Sequence, residues 1–252
     1  MAIPEEKAMS LAMSFKDEVR MKKEGERIEL GDNLYSILVV APATSWSFML
    51  SIFFLFIKFT ALVILILGIS WDNVEAPTVE VSVVKAFLIP VAIAMQEDLM
   101  GSFATLANGR WSSSLLRIST SATQFKLYFG YLLRAIDGFM SLYVNYSVML
   151  VTPGAVAVFL NFAALQFIYS IDDVFFELMT LGFFGDEMEH MTTVCQRCSL
   201  PRRHGKYNPH IGCIRVSWLD TILFLCLLVV LVILYILFSI DLYEVADLTP
   251  GN

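Results

Sequence analysis

The sequence predicts an all-α, polytopic transmembrane helical bundle of about five spanning helices, with its N-terminus cytosolic and its C-terminus outside. Three observations lead there. Of the 252 residues, 57% are hydrophobic and only 16% are charged, whereas an ordinary soluble domain carries about 25% charged residues. The deficit is concentrated in long apolar stretches, and about 18 consecutive apolar residues are what a helix needs to cross roughly 30 Å of hydrocarbon. The Lys and Arg residues fall on alternate sides of those stretches. A soluble α/β fold would need short strands punctuated by Gly and Pro, and the chain has none.

The first span is predicted over Ser47 to Trp71 and the second over Val81 to Ala107, with Pro90 inside it. The third covers Leu127 to Val151 and the fourth Ala155 to Leu181, joined by the turn Thr152-Pro153-Gly154. The fifth runs from Trp218 to Ile240, with Asp220 near its start as its only charge. Orientation follows from the basic residues. Six Lys and Arg precede the first span. Arg110, Arg117 and Lys126 lie between the second and third, and Arg197, Arg202, Arg203, Lys206 and Arg215 between the fourth and fifth. The opposite loops and the C-terminal tail have no Lys or Arg. The stretch around Leu115, Leu116 and Ile118 is too polar to cross and is expected at the interface.

This divides the chain into a charged N-terminal segment (1–45), a four-helix region (46–184) with a polar hairpin at 127–181, a basic Cys/His loop (185–217), and a fifth helix with a short acidic tail (218–252). Within the first segment, Leu11, Phe15 and Val19 recur every four residues, which predicts an amphipathic helix packed on the protein's own cytosolic side. The segment is neither a signal peptide nor a transit peptide, because acids are mixed with its bases. A net charge of −7 and a pI near 5.0 exclude nucleic acid as the expected partner.

Ionisable groups at membrane depth are costly and rare, so their spacing carries information. Arg134, Asp137, Ser141 and Asn145 trace one helical face, and so do Gln166, Ser170, Asp173 and Glu177 on the next span. Equal counting from the Pro153 turn puts Arg134 level with Asp172 and predicts that it pairs with Asp172 or Asp173. Lys58, in the middle of the first span, needs Asp137 or Glu97. Lys85 is near enough to a surface to snorkel. Six acids (Glu97, Asp98, Asp137, Asp172, Asp173, Glu177) then face two bases, Lys58 and Arg134. Acids beyond the ion pairs must protonate, reach water or hold cations.

These counts predict an oligomeric channel or transporter subunit that passes cations along an acidic stripe. Asp173 and Glu177 line the path, Glu97 and Asp98 guard the cytosolic mouth, and Asp137 is a further ion-binding candidate. Arg134, Lys58 and Asp172 are the structural counter-charges. The competing expectation is a non-catalytic subunit of a larger membrane complex whose polar stripes form an assembly seam. A third is a membrane-anchored adaptor acting through the Cys/His loop. There Cys195, Cys198, His210 and Cys213 have the reach of a Cys₃His zinc site, the one cofactor the sequence suggests. The same loop is also basic enough to meet anionic lipid, and its cysteines could instead be palmitoylated. Glu187-x-x-His190 is half of a di-iron motif with no second half. No nucleotide or hydrolase motif occurs, so an enzyme is not expected. The expected partners are the lipid bilayer, cations, and further copies or a larger complex.

Overall fold

In a computed structural model, the residues described are 27–71, 74, 76–109, 111, 119–201, 210–211, 214–215 and 219–248. The chain is predominantly helical, with nine helices among the described residues: α1 (Leu34–Val40), α2 (Trp46–Gly68), α3 (Val79–Ala94), α4 (Glu97–Asn108), α5 (Gln124–Val151), α6 (Ala155–Tyr169), α7 (Ile171–Thr180), α8 (Asp186–Arg197) and α9 (Leu219–Leu248). Two antiparallel strand pairs accompany them. β1 (Arg27–Glu29) pairs with β2 (Ser199–Pro201), setting Ile28 opposite Leu200. β3 (His210–Ile211) pairs with β4 (Ile214–Arg215). The amphipathic segment around Leu11, Phe15 and Val19 and the interfacial stretch at Leu115 lie outside the described residues.

Among the described residues, two helices are long and apolar enough to cross a membrane: Trp46–Gly68, and Thr221–Ile240 within α9. At 1.5 Å per residue, the 23 residues of α2 extend about 35 Å. Its start is fixed by Ser45, whose Oγ accepts from the Phe48 N–H at 3.2 Å. The count rises to four if each of two bent pairs is one crossing: α3 with Glu97–Ala107 of α4, bent by 41°, and α6 with α7, bent by 42°. Large apolar side chains on these helices face outward, including Phe56, Ile64, Leu67, Val83, Phe87 and Leu160. So wide an exposed apolar surface is characteristic of contact with lipid.

Each bend has a local cause, and neither is at Pro90. That proline lies inside α3, which continues to Ala94. The chain leaves helical geometry at Gln96 (φ −85°, ψ 70°), the residue before α4. At the second break Ser170 turns its Oγ back onto the Gln166 carbonyl at 3.0 Å, a back-bond that bends helices.

α5 is the central post, and small residues set how closely its neighbours approach. A Cβ on Gly138 would meet the Leu99 backbone nitrogen at 2.6 Å, so α4 packs directly on the α5 backbone there. A Cβ on Gly130 would meet Val39 at 3.2 Å, where α1 packs. Every residue of α1 is buried, so Leu34–Val40 belongs to the bundle core rather than to a charged segment outside it. One apolar cluster joins α1 to the start of α2 and to Met188, Cys195 and Leu200. A second, around Leu88, Ile89, Leu142, Met149 and Leu231, joins α3, α5 and α9. A third, of Leu62, Val144, Leu165 and Tyr169, closes the bundle between them.

α9 is held at the edge. Tyr146 Oη donates to the Leu231 carbonyl at 3.0 Å, and Tyr235 Oη to the Ser82 carbonyl at 3.2 Å. Lys85 does not snorkel. It is buried, and its Nζ donates to the Leu150 carbonyl at 2.6 Å, capping the end of α5, where a helix dipole attracts a cation.

Candidate functional site

Both helix breaks open onto one cavity of about 410 Å³. Gly31, Asp32 and Asn33, between β1 and α1, line one part of it. Gly31 has φ 93°, a backbone conformation that favours glycine, and this lets the chain turn from β1 into α1 beside the cavity. The wall also includes Gln96, Glu97 and Asp98 of the first break and Gln166, Ser170 and Asp173 of the second. Arg134 and Ser141 of α5 complete it together with Tyr169. The two half-helices α4 and α7 begin here with acids in their first turns, Glu97 and Asp98 in one, Asp172 and Asp173 in the other. The N-terminal end of a helix dipole favours negative charge at these positions. Discontinuous helices whose ends meet in a cavity are a recurrent way of building ion sites in membrane proteins.

Beside Asp98 of this wall stands Lys58, 1% exposed. Its Nζ lies 2.6 Å from Asp137 Oδ2, 2.6 Å from Asp172 Oδ1 and 3.6 Å from Asp98 Oδ2. Tyr35 Oη donates to the same Asp137 oxygen at 2.8 Å. Arg134 Nε donates to Asp98 Oδ1 at 2.7 Å, so the five charged groups form one chain of contacts spanning α2, α4, α5 and α7. Three acids against two bases leave this cluster one negative charge in excess when all are ionised. One turn along α2 from Lys58, Leu62 packs with Val144 and Leu165 in an apolar cluster.

Several buried polar atoms around the site have no hydrogen-bond partner among the described residues: Asp137 Oδ1, Asp172 Oδ2, Gln96 Nε2, Asn145 Nδ2 and Gln166 Oε1. Buried polar groups are nearly always satisfied, so a cluster of exceptions in one place calls for water, protons or ions. Oxygens of Asp98, Asp137 and Asp172 lie within 4.8 Å of one another, close enough to share a cation.

The two polar stripes meet at this cavity: Arg134 and Ser141 from one, Gln166, Ser170 and Asp173 from the other. Glu97 and Asp98 join them in the wall. Glu177 does not; it is exposed, one turn further along α7. Asp137 sits behind the wall, fully buried against Lys58. Arg134 pairs with Asp98 rather than with Asp172 or Asp173, because Gly138 lets α4 approach α5 more closely than α7 does. Asp172 is taken by Lys58 instead. Tyr35 and the α1 helix that carries it are the functional elements the sequence reasoning missed. A signal was there: Asn33 followed by the apolar run Leu34–Ala41 reads as an N-cap and a buried helix too short to span.

The candidate zinc ligands are divided. Cys195 and Cys198 are buried in the core beside Leu200, and neither is in a disulfide. Burial, with Cys198 and Asp32 nearby, pushes the Cys195 thiol well above its ordinary pKa. The side chain of His210, and all of Cys213, lie outside the described residues.

No protein-family model, curated protein or solved structure matches the chain.

Proposed function

We propose that this is a multi-pass integral membrane protein that carries cations, and that the cavity at the two helix breaks is the cytosolic half of their path. In this reading α2, α3–α4, α5, α6–α7 and α9 are the five crossings. Although α5 is more polar than the rest, its polar face is turned inward to the cavity and its 28 residues are ample to span. The Lys and Arg distribution sets the N-terminus and α8 in the cytosol and the C-terminus outside.

The observation that carries the reading is the acid-lined cavity itself. Glu97, Asp98 and Asp173 line it, and Asp98 joins it to a buried cluster in which Asp137 and Asp172 each keep an oxygen with no partner among the described residues. Acidic walls attract cations and repel anions. The apolar cluster of Leu62, Val144 and Leu165 beside Lys58 supports a carrier that alternates over a permanently open pore. Arg134, Ser141, Gln166, Ser170 and Asp173 of the two polar stripes line this internal cavity, which weighs against an assembly seam.

Purified protein in liposomes should take up Na⁺, K⁺ or Li⁺ down its gradient, and Asp173→Asn combined with Glu97→Gln should slow uptake about tenfold or more. Absence of uptake in the wild type, with the double variant lost from a co-purifying complex, would establish the assembly seam instead.

A further inference from the structure

Lys58 is where the ion pairing and the unsatisfied atoms converge. Its ammonium is within 2.6 Å of two aspartates and 3.6 Å of a third. The oxygens of these acids lie within 4.8 Å of one another, a spacing suited to a hard cation held by oxygens. The ammonium therefore occupies the seat that a bound cation would take. A second observation comes from groups outside that contact. Asp137 and Asp172, both 0% exposed, each keep one oxygen with no partner. Gln96, 3% exposed and on the cavity wall, has an amide nitrogen with none. A purely structural ion pair in a dry interior would need its remaining acceptors satisfied, since its stability depends on them.

We propose that Lys58 is a tethered cation, displaced from Asp137 and Asp172 when a small monovalent cation arrives through the cavity, and that it gives up one proton in the exchange. The inference rests on the cavity being a cation path. The step balances. One N–H bond of the Lys58 ammonium breaks, its electron pair stays on nitrogen, and the proton leaves to the cavity water past Asp98 and Asp173. The arriving cation replaces the lost positive charge, so the net charge of the buried cluster is unchanged, and no uncompensated charge is created in the interior. One cation enters for one proton released.

The charged and titratable groups around Lys58 come from five helices: Tyr35 on α1, Glu97 and Asp98 on α4, Arg134 and Asp137 on α5, Tyr169 on α6, and Asp172 and Asp173 on α7. Arg134 cannot lose its proton, so of the two bases only Lys58 can alternate between charged and neutral forms.

The test uses the full chain in liposomes loaded with a pH-sensitive dye, challenged with Na⁺, K⁺ or Li⁺ one at a time. The expected result is that one proton moves opposite to each cation and that the rate ignores an imposed voltage. Lys58→Arg retains a cation for the carboxylates but cannot release a proton, and should slow exchange by about tenfold or more. Lys58→Gln should pass cations without proton movement and become voltage-sensitive. Wild-type uptake without proton movement, or Lys58→Arg exchanging at the wild-type rate, would overturn the tethered cation and leave the cation path standing. No uptake of any of the three ions by the wild type would overturn both. Should either variant fail to elute as a folded species, the wild type in weakly buffered detergent decides: each cation bound should release one proton, and binding without release overturns the inference.

Discussion

Tyr35, Lys58, Asp137 and Asp172 lie on four different helices, yet each depends on the others for its polar contacts. Removing one partner of a buried ion pair leaves the other charge uncompensated, at a cost of about 3–5 kcal/mol. Lys58→Met should therefore lower the thermal unfolding midpoint in detergent sharply, and adding Asp172→Asn should restore part of the loss. Tyr35→Phe removes one hydrogen bond to a charged group and should cost about 1.5–3 kcal/mol. Unfolding of Lys58→Met at the wild-type midpoint would refute the contacts described. Much of this was legible, because a lysine in an apolar run demands a carboxylate, and Asp137 was one of two candidates. Tyr35 was not, since a tyrosine 102 positions from its partner carries no local signal of pairing.

At the level of elements, the site depends on where helices break and how closely they pack. Gly138→Ala would set a methyl 2.6–2.8 Å from Leu99 and force α4 away from α5. Overpacking of this kind costs about 1–3 kcal/mol. Asp98 rides on α4 one residue before Leu99, so its contact with Arg134 should loosen as well. The check is a lower unfolding midpoint together with reduced cation uptake, against no change in either for Ala135→Gly on the same helix beyond its small propensity cost. The two hydrophobic stretches containing the breaks were legible from hydropathy, but the breaks were not. Pro90 was the visible helix breaker, while the chain parts at Gln96 and bends at Ser170, and both depend on side-chain and backbone geometry that hydropathy does not encode. Equal counting from Pro153 failed for Arg134 for a related reason: it ranks partners by depth, and α4 wins by proximity.

Across the whole molecule, two constraints act together. Lipid outside demands an apolar surface, which composition announces, and charged groups inside must be turned toward one another, which spacing announces. Their combination made the class and the two polar stripes readable from the sequence. The shape of the cavity and the packing of Leu62, Val144 and Leu165 beside Lys58 depend on how distant segments meet, and only the fold supplies them. The cavity should admit cations and exclude anions along its length. Gln166→Cys places a thiol on its wall for charged methanethiosulfonate reagents, with the unmodified wild type as control for the native cysteines. A cationic reagent applied from the cytosolic side should modify this thiol and stop cation uptake, while an anionic reagent of similar size should react about tenfold more slowly or less. Equal reaction with both reagents, or full modification with uptake unchanged, would contradict the cavity as the route cations take.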